Sequence, residues 1–137
     1  MTNLFLDTGY IVALELHKDQ WHEKAIKHWQ ELVQTPFHLT TTSYVFDEAM
    51  TCLNSKGRHD KALIVGKNLL QSAFIDFIHV DENLFNYGWQ LFKNRKDMGY
   101  SLTDCISFVV MRNHSLNQAL AFDKHFEQEG FLLPAKI

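Results

Sequence analysis

The pattern of hydrophobic and polar positions predicts short strands separated by pairs of helices. Short runs of apolar and β-branched residues predict strands at 3–6, 37–41, 75–80 and 119–122, with a final edge strand at 131–133. Apolar positions at the helical period predict helices after Gly9 and within 20–33, 42–53, 60–73, 81–92 and 101–111. This order of elements predicts an α/β fold with a mostly parallel central sheet flanked by helices.

Polar residues mark where several of these helices begin. Thr42 or Ser43, Asp81, and Ser101 or Thr103 each precede an apolar helical pattern and are residue types that cap helix N-termini. The helix that starts near Ser101 is apolar on nearly all sides between Cys105 and Met111, which predicts a central position in the molecule.

The size and composition predict one globular domain over residues 1–137. The chain has 46% hydrophobic and 13% aromatic residues, which is enough for a real core. It has no run of roughly 20 apolar residues and no basic, signal-like N-terminus, so we expect a cytoplasmic protein without a membrane partner. The net charge of −3 argues against a broad surface for polyanions but leaves room for a local basic rim.

Four acidic residues lie where an α/β fold brings chain segments together. Asp7 ends the apolar run 4–6, Asp123 ends the run 119–122, and Glu48 and Asp104 lie near predicted helix starts. Ligand sites of parallel sheets form outside the carboxyl ends of the strands. Carboxylates gathered there repel one another by about 4 kcal/mol per pair at 4 Å. A hard divalent cation with oxygen ligands, Mg²⁺ or Mn²⁺, would relieve this repulsion.

Each acid also has a simpler explanation when it is considered alone. Asp7 and Asp123 could be turn residues that accept backbone N–H groups. Asp104 fits a capping box with Ser101, in which its carboxylate bonds the Ser101 backbone. Glu48 borders the apolar stripe of its helix and is expected to face a cleft, whereas Asp47 points away from that stripe into solvent. Two strand ends and two helix starts together are much less easily explained as coincidence.

The segments that carry these acids resemble the four motifs of PIN-domain ribonucleases. They are Leu6-Asp7-Thr8-Gly9, the run Thr42 to Glu48, Ser101-Leu102-Thr103-Asp104, and Phe122 to Phe126. Chain length and motif order are most similar to the VapC-type toxins of toxin–antitoxin pairs. The resemblance extends from residue 4 to residue 131.

This resemblance implies a single PIN-like domain that cleaves RNA with Mg²⁺ or Mn²⁺. Asp7, Glu48, Asp104 and Asp123 would be both the catalytic residues and the metal ligands, with polar support from Thr8 and Thr103. The expected partners are an RNA substrate, a cognate antitoxin protein and a second copy in a homodimer. Ala121 departs from the pattern, because relatives often carry Ser or Thr there, and its methyl group cannot hydrogen-bond near Asp123.

Other residues have weaker claims to function. Lys93, Arg95 and Lys96 are the best candidates for contacts to RNA phosphates, and Lys56, Arg58 and Lys61 form a second basic group. His125 is close to the fourth acid in sequence but is predicted to be a surface histidine. The larger aromatic residues of the helices are predicted to build the core: Trp21, Trp29, Phe85, Trp89 and Phe92.

Two other functions stay open at this point, and a third is disfavoured. The chain could be a non-catalytic PIN-like module that binds Mg²⁺ or RNA, or a structure-specific DNA nuclease of the same fold. A phosphotransferase with Asp7 as nucleophile is disfavoured, because haloacid dehalogenase-like enzymes need a second Asp two residues later and this chain has Gly9.

Overall fold

The sheet is entirely parallel and places two of the four acids beside each other. The computed structural model describes all 137 residues. Its four strands are β1 (Thr2–Leu6), β2 (Phe37–Thr42), β3 (Ile75–Ile78) and β4 (Ala119–Leu120), in the spatial order β3-β2-β1-β4. The chain thus moves from β1 to β2 on one side, and returns to the other side of β1 for β4. Such a reversal of strand order opens a crevice at the carboxyl ends of the strands, here between β1 and β4.

Seven helices flank the sheet in two packed groups. The first group comprises α1 (Thr8–Glu15), α2 (His22–Leu32), α3 (Ser43–Ser55) and α4 (His59–Gln71), and the second comprises α5 (Glu82–Asn94), α6 (Leu102–Asn113) and α7 (Lys124–Gln128). The predicted α/β class and mostly parallel sheet are confirmed. None of the helices combines the length and the apolar composition that a membrane crossing requires.

The predicted helix caps are present at three helix starts. The Thr42 and Asp81 side chains accept hydrogen bonds from the Val45 and Leu84 backbone N–H groups, at 3.2 and 2.8 Å. Ser101 caps α6, and the body of α6 is almost completely buried, as its apolar composition predicted. The core therefore fixes the position of the N-terminus of α6.

Two expectations about the chain's local structure are wrong. The first helix was predicted to begin after Gly9, but Gly9 lies within α1, because α1 begins directly after β1 with Asp7 as its N-cap. The segment 131–133 forms no strand; Leu132 makes a single parallel bridge to Gln118, and a 3₁₀ turn at Pro134–Lys136 follows. Proline cannot donate to a ladder, and β4 with two residues offers little edge to extend.

The aromatic residues of α5 are not part of the core. Phe85, Trp89 and Phe92 are all well exposed, contrary to the prediction, whereas Trp21 and Trp29 pack against the core from α2 and the segment before it. Gly88 is the buried residue of α5, and it lets the helix approach Ile106 of α6 closely. The aromatic flank of α5 therefore faces outward.

Candidate active site

Asp7 and Asp123 lie at neighbouring strand ends. Asp7 follows β1 directly, and its backbone N–H donates to the Leu120 carbonyl of β4 at 3.0 Å. Asp123 follows β4 by three residues and caps α7, since its carboxylate accepts the His125 backbone N–H at 2.9 Å. The two carboxylates therefore reach the same crevice from adjacent strands.

Glu48 enters the crevice from the second turn of α3. The Thr8 hydroxyl donates to Glu48 Oε1 at 2.8 Å, and this hydrogen bond joins the N-terminus of α1 to α3. Glu48 is half-buried at this contact, whereas its neighbour Asp47 is exposed, as the helical pattern predicted. Thr8 thus supplies the polar support beside the acids that the resemblance implied.

Asp104 is held by the predicted capping box. The Asp104 backbone N–H donates to Ser101 Oγ at 2.9 Å, and the Ser101 backbone N–H donates to Asp104 Oδ2 at 3.1 Å. The side chain is nearly buried because it sits at the N-terminus of the central helix α6. The capping role and a place in the acidic cluster therefore coexist in this residue.

Burial and the neighbouring acids make ionisation of Asp7 unfavourable. Asp7 is only 7% exposed. Burial raises the pKa of Asp7 to about 8, and the nearby Asp104, Glu48 and Asp123 carboxylates add to the rise. A hydrogen bond from the Thr8 backbone N–H acts in the opposite direction. The four acids are thus close enough to interact, although they are far apart in sequence.

The pKa of Glu48 is also raised. Burial is the main cause, while a hydrogen bond from Thr8 lowers the pKa and the nearby Asp104 carboxylate raises it further. A buried acid among other acids is costly in its charged form unless a positive charge is present. The four acids offer carboxylate oxygens to the crevice, and these are the metal ligands that Mg²⁺ and Mn²⁺ prefer. The residues therefore fit a hard divalent cation.

Sequence reasoning missed one residue of the cluster. His125 is not a free surface residue: its Nδ1 lies 3.0 Å from Asp104 Oδ2 and 3.4 Å from Asp123 Oδ1. Asp104, Asp123 and His125 each offer a ligand atom within 4.8 Å of the others. The sequence feature that could have revealed this contact is Asp123 as a helix N-cap. In a helix that begins after Asp123, the side chain of His125 lies close to the capping residue. A five-residue helix is too short to show an apolar period.

The predicted basic residues differ in their availability. Arg95 donates to Glu129 at 2.7 Å, and Arg58 forms an exposed ion pair with Asp60 at 3.0 Å, so both guanidinium groups are already engaged. Lys93 and Lys96 are exposed. The phosphate-contact hypothesis therefore rests on the lysines of the two predicted basic groups, of which Lys93, Lys96 and Lys56 are exposed and Lys61 is partly exposed.

Comparison with known proteins agrees with this architecture. The PIN domain family matches residues 4–132. The 23S rRNA-specific endonuclease VapC20 of two Mycobacterium tuberculosis strains is 30% identical over 129 residues, which are 94% of this chain and 95% of that protein. The crystal structure of Mycobacterium tuberculosis VapC20, a sarcin–ricin loop cleaving toxin, superposes with a TM-score of 0.85 at 28% identity and 98% coverage of both chains.

The chain therefore belongs to the PIN domain family. Within this family it is similar to the VapC-type toxins, as the four sequence motifs indicated.

Proposed function

We propose that this protein is a metal-dependent endoribonuclease, and that it is the toxin of a toxin–antitoxin pair. The observation that carries the proposal is the position of Asp7. This carboxyl group is buried at the end of β1, and three further carboxylates raise its pKa. A fold gains nothing from such an arrangement without a cation, so the cluster supports a metal-dependent reaction.

Each acidic residue has a role that its local contacts support. Asp7, Glu48, Asp104 and Asp123 would hold Mg²⁺ or Mn²⁺, and these residues would be the catalytic group. A bound cation would lower the pKa of a water and offset charge on the leaving oxygen of the phosphodiester. Thr8 orients Glu48, and the capping box orients Asp104. None of these side chains needs to act as a covalent nucleophile.

The proposed substrate is RNA, which we infer from the relatives. VapC20 is a 23S rRNA-specific endonuclease and cleaves the sarcin–ricin loop, so a hairpin with that sequence is the first RNA to test. Lys93 and Lys96 are exposed and lie shortly before α6 in the sequence. We infer that they contact RNA phosphates. Since cellular RNA is the proposed substrate, we propose that the protein acts in the cytoplasm.

Two protein partners belong to the same proposal. VapC20 is described as a toxin, which supports a cognate antitoxin as a partner of this protein. The family resemblance also leads us to expect a homodimer. Light scattering of the purified protein with and without the product of an adjacent small reading frame tests both partners.

The deciding experiment is an RNA cleavage assay with a metal series. Purified protein is incubated with structured RNA, single-stranded RNA and flapped DNA, in Mg²⁺, Mn²⁺ or EDTA. We expect RNA cleavage with metal, none in EDTA, and none by Asp7→Asn. Cleavage of the flapped DNA alone would favour the DNA nuclease. If folded protein free of a co-purified inhibitor cuts nothing with any metal, the non-catalytic binding module is the favoured function.

A further inference from the structure

The short helix α7 brings an imidazole into contact with two of the acids. His125 is the second residue of α7, and its side chain is 19% exposed. Its Nδ1 lies 3.0 Å from Asp104 Oδ2 and 3.4 Å from Asp123 Oδ1. The imidazole therefore lies between a carboxylate of the central helix and a carboxylate that follows β4.

The direction of the contact with Asp104 depends on the tautomer of the histidine. An ionised carboxylate only accepts hydrogen bonds, so with Asp104 in that form the proton of this contact would be on Nδ1 of His125. The same Oδ2 atom also accepts the Ser101 backbone N–H at 3.1 Å. Both contacts are made to Oδ2, and no protein donor bonds Oδ1, so the Oδ1 atom of Asp104 is left for a cation.

The core holds His125 in place. The next residue, Phe126, is fully buried and packs edge-on against Phe108 of α6, with ring centroids 5.0 Å apart. The imidazole itself lies against the ring of Tyr100, with centroids 5.1 Å apart. Such packing restricts the imidazole to a small range of positions, which a hydrogen bond that orients a metal ligand requires.

We propose that His125 is a positioning residue of this site, which donates from Nδ1 to Asp104 and fixes the orientation of that carboxylate. The proposal rests on the proposed metal-dependent nuclease function. The imidazole is also a polar neighbour of Asp123, at 3.4 Å from Oδ1. Metal-ligating carboxylates are commonly held by such hydrogen bonds, and their removal typically costs 10- to 100-fold in metal affinity or activity.

Three substitutions separate the Nδ1 contact from other roles of the ring. In His125→Asn, the side-chain NH₂ takes the place of Nδ1–H. In His125→Gln, the NH₂ takes the place of the other ring nitrogen, Nε2. His125→Ala has neither group. The affinity for Mn²⁺ is measured from the electron paramagnetic resonance signal of free Mn²⁺. We expect His125→Ala and His125→Gln to bind Mn²⁺ roughly 10- to 100-fold more weakly than wild type does. His125→Asn should recover most of this affinity. RNA cleavage at fixed Mn²⁺ should follow the same order.

A second measurement uses the wild-type protein and does not depend on any variant folding. Long-range ¹H–¹⁵N spectra of the histidine ring, recorded with saturating Mg²⁺, report which ring nitrogen carries a proton. We expect Nδ1 of His125 to be protonated. An unprotonated Nδ1 would mean that the ring is a direct ligand or does not donate, and either would overturn the proposal.

The outcomes distinguish this proposal from the proposed function. If wild type binds Mn²⁺, Asp7→Asn does not, and His125→Ala binds as wild type does, only the positioning role is overturned. Equal losses in Asn, Gln and Ala would also overturn it, because the Nδ1 donor would then not be the cause. If wild type neither binds Mn²⁺ nor cleaves RNA, both proposals are wrong.

Discussion

At the scale of single residues, Asp7 links stability to pH in a direction that is unusual for an aspartate. Its pKa is raised from 3.8 to about 8 by burial and by the neighbouring acids. Between these two values the native state binds more protons than the unfolded state, so the free energy of unfolding falls as pH rises. Aspartates in ion pairs have the opposite effect, because their pKa values are lowered on folding.

We therefore predict that the metal-free protein becomes less stable between about pH 4 and pH 8, and that Asp7→Asn loses much of this dependence. Urea denaturation in EDTA at several pH values measures both proteins. A metal-free wild type that gains stability over this range, when Asp7→Asn does not, would contradict the assignment to Asp7.

Asp104 combines two roles that substitution can separate. Asp104→Asn removes the charge but keeps an oxygen that can accept the Ser101 N–H, whereas Asp104→Ala removes both. Both variants should abolish RNA cleavage, and both relieve repulsion in the metal-free cluster. We predict that Asp104→Asn is no less stable than wild type in EDTA, and that Asp104→Ala is less stable than Asp104→Asn by about 1 kcal/mol, the typical net worth of one hydrogen bond. Thermal denaturation in EDTA tests this order, and an Asp104→Ala variant as stable as Asp104→Asn would mean that the hydrogen bond from the Ser101 N–H to residue 104 contributes nothing significant.

At the scale of elements, the sequence predicted the helices better than it predicted the short segments. The helices α2 to α6 have apolar faces long enough to show the helical period, and three of them begin at a recognisable cap. The 131–133 segment has buried residues on either side of exposed Leu132, which is the alternation of a strand. It pairs with the sheet only at Leu132, so the alternation reflects packing rather than a ladder.

The packing of α5 on α6 depends on a glycine. A Cβ at Gly88 would lie 2.4 Å from Ile106 Cγ1, whereas a Cβ at the exposed helical Gly9 would meet nothing within 4 Å. We predict that Gly88→Ala destabilises the protein by about 1–3 kcal/mol through overpacking. Gly9→Ala, the matched control, should be neutral or stabilising by up to about 1 kcal/mol through helix propensity. Urea denaturation compares the two, and equal effects would show that α5 can move away from α6 at no cost.

At the scale of the whole molecule, the buried carboxylate of Glu129 forms ion pairs that connect α5, α6 and the segment after α7. Glu129, after α7, has a side chain only 5% exposed and accepts hydrogen bonds from Arg95 at the end of α5 and Arg112 in the last turn of α6. Burial alone would raise the pKa of Glu129, but the two arginines lower it below its ordinary value. This cluster gives Arg95 a structural role, because its guanidinium joins the end of α5 to the segment after α7.

We predict that Glu129→Gln lowers the free energy of unfolding at pH 7 by about 2 kcal/mol, through weaker hydrogen bonds to two charged groups. Because the pKa of Glu129 is lowered on folding, its contribution is present above its unfolded-state pKa and is lost as the pH falls through the folded value. Denaturation at pH 7 and near pH 3 measures the difference between the variant and wild type. A difference that is the same at both pH values would assign the loss to packing and not to charge.

The sequence by itself determined the α/β class, the main helices with three of their caps, and the four acids of the candidate site. These features are encoded locally: in an apolar period, in a capping residue, or in an acid at the end of a short apolar run. Local patterns also supported the family resemblance, because each motif lies within a single segment of the chain.

Only the tertiary structure decided which neighbours those residues have. The arrangement of β1 beside β4 brings Asp7 to Asp123, and α7 turns His125 back onto Asp104. The pairing of Arg95 with Glu129 and the outward position of the α5 aromatics likewise depend on contacts between residues distant in the chain. A residue's periodicity shows which side of its own element it occupies, but the partner on that side is set by how the elements pack.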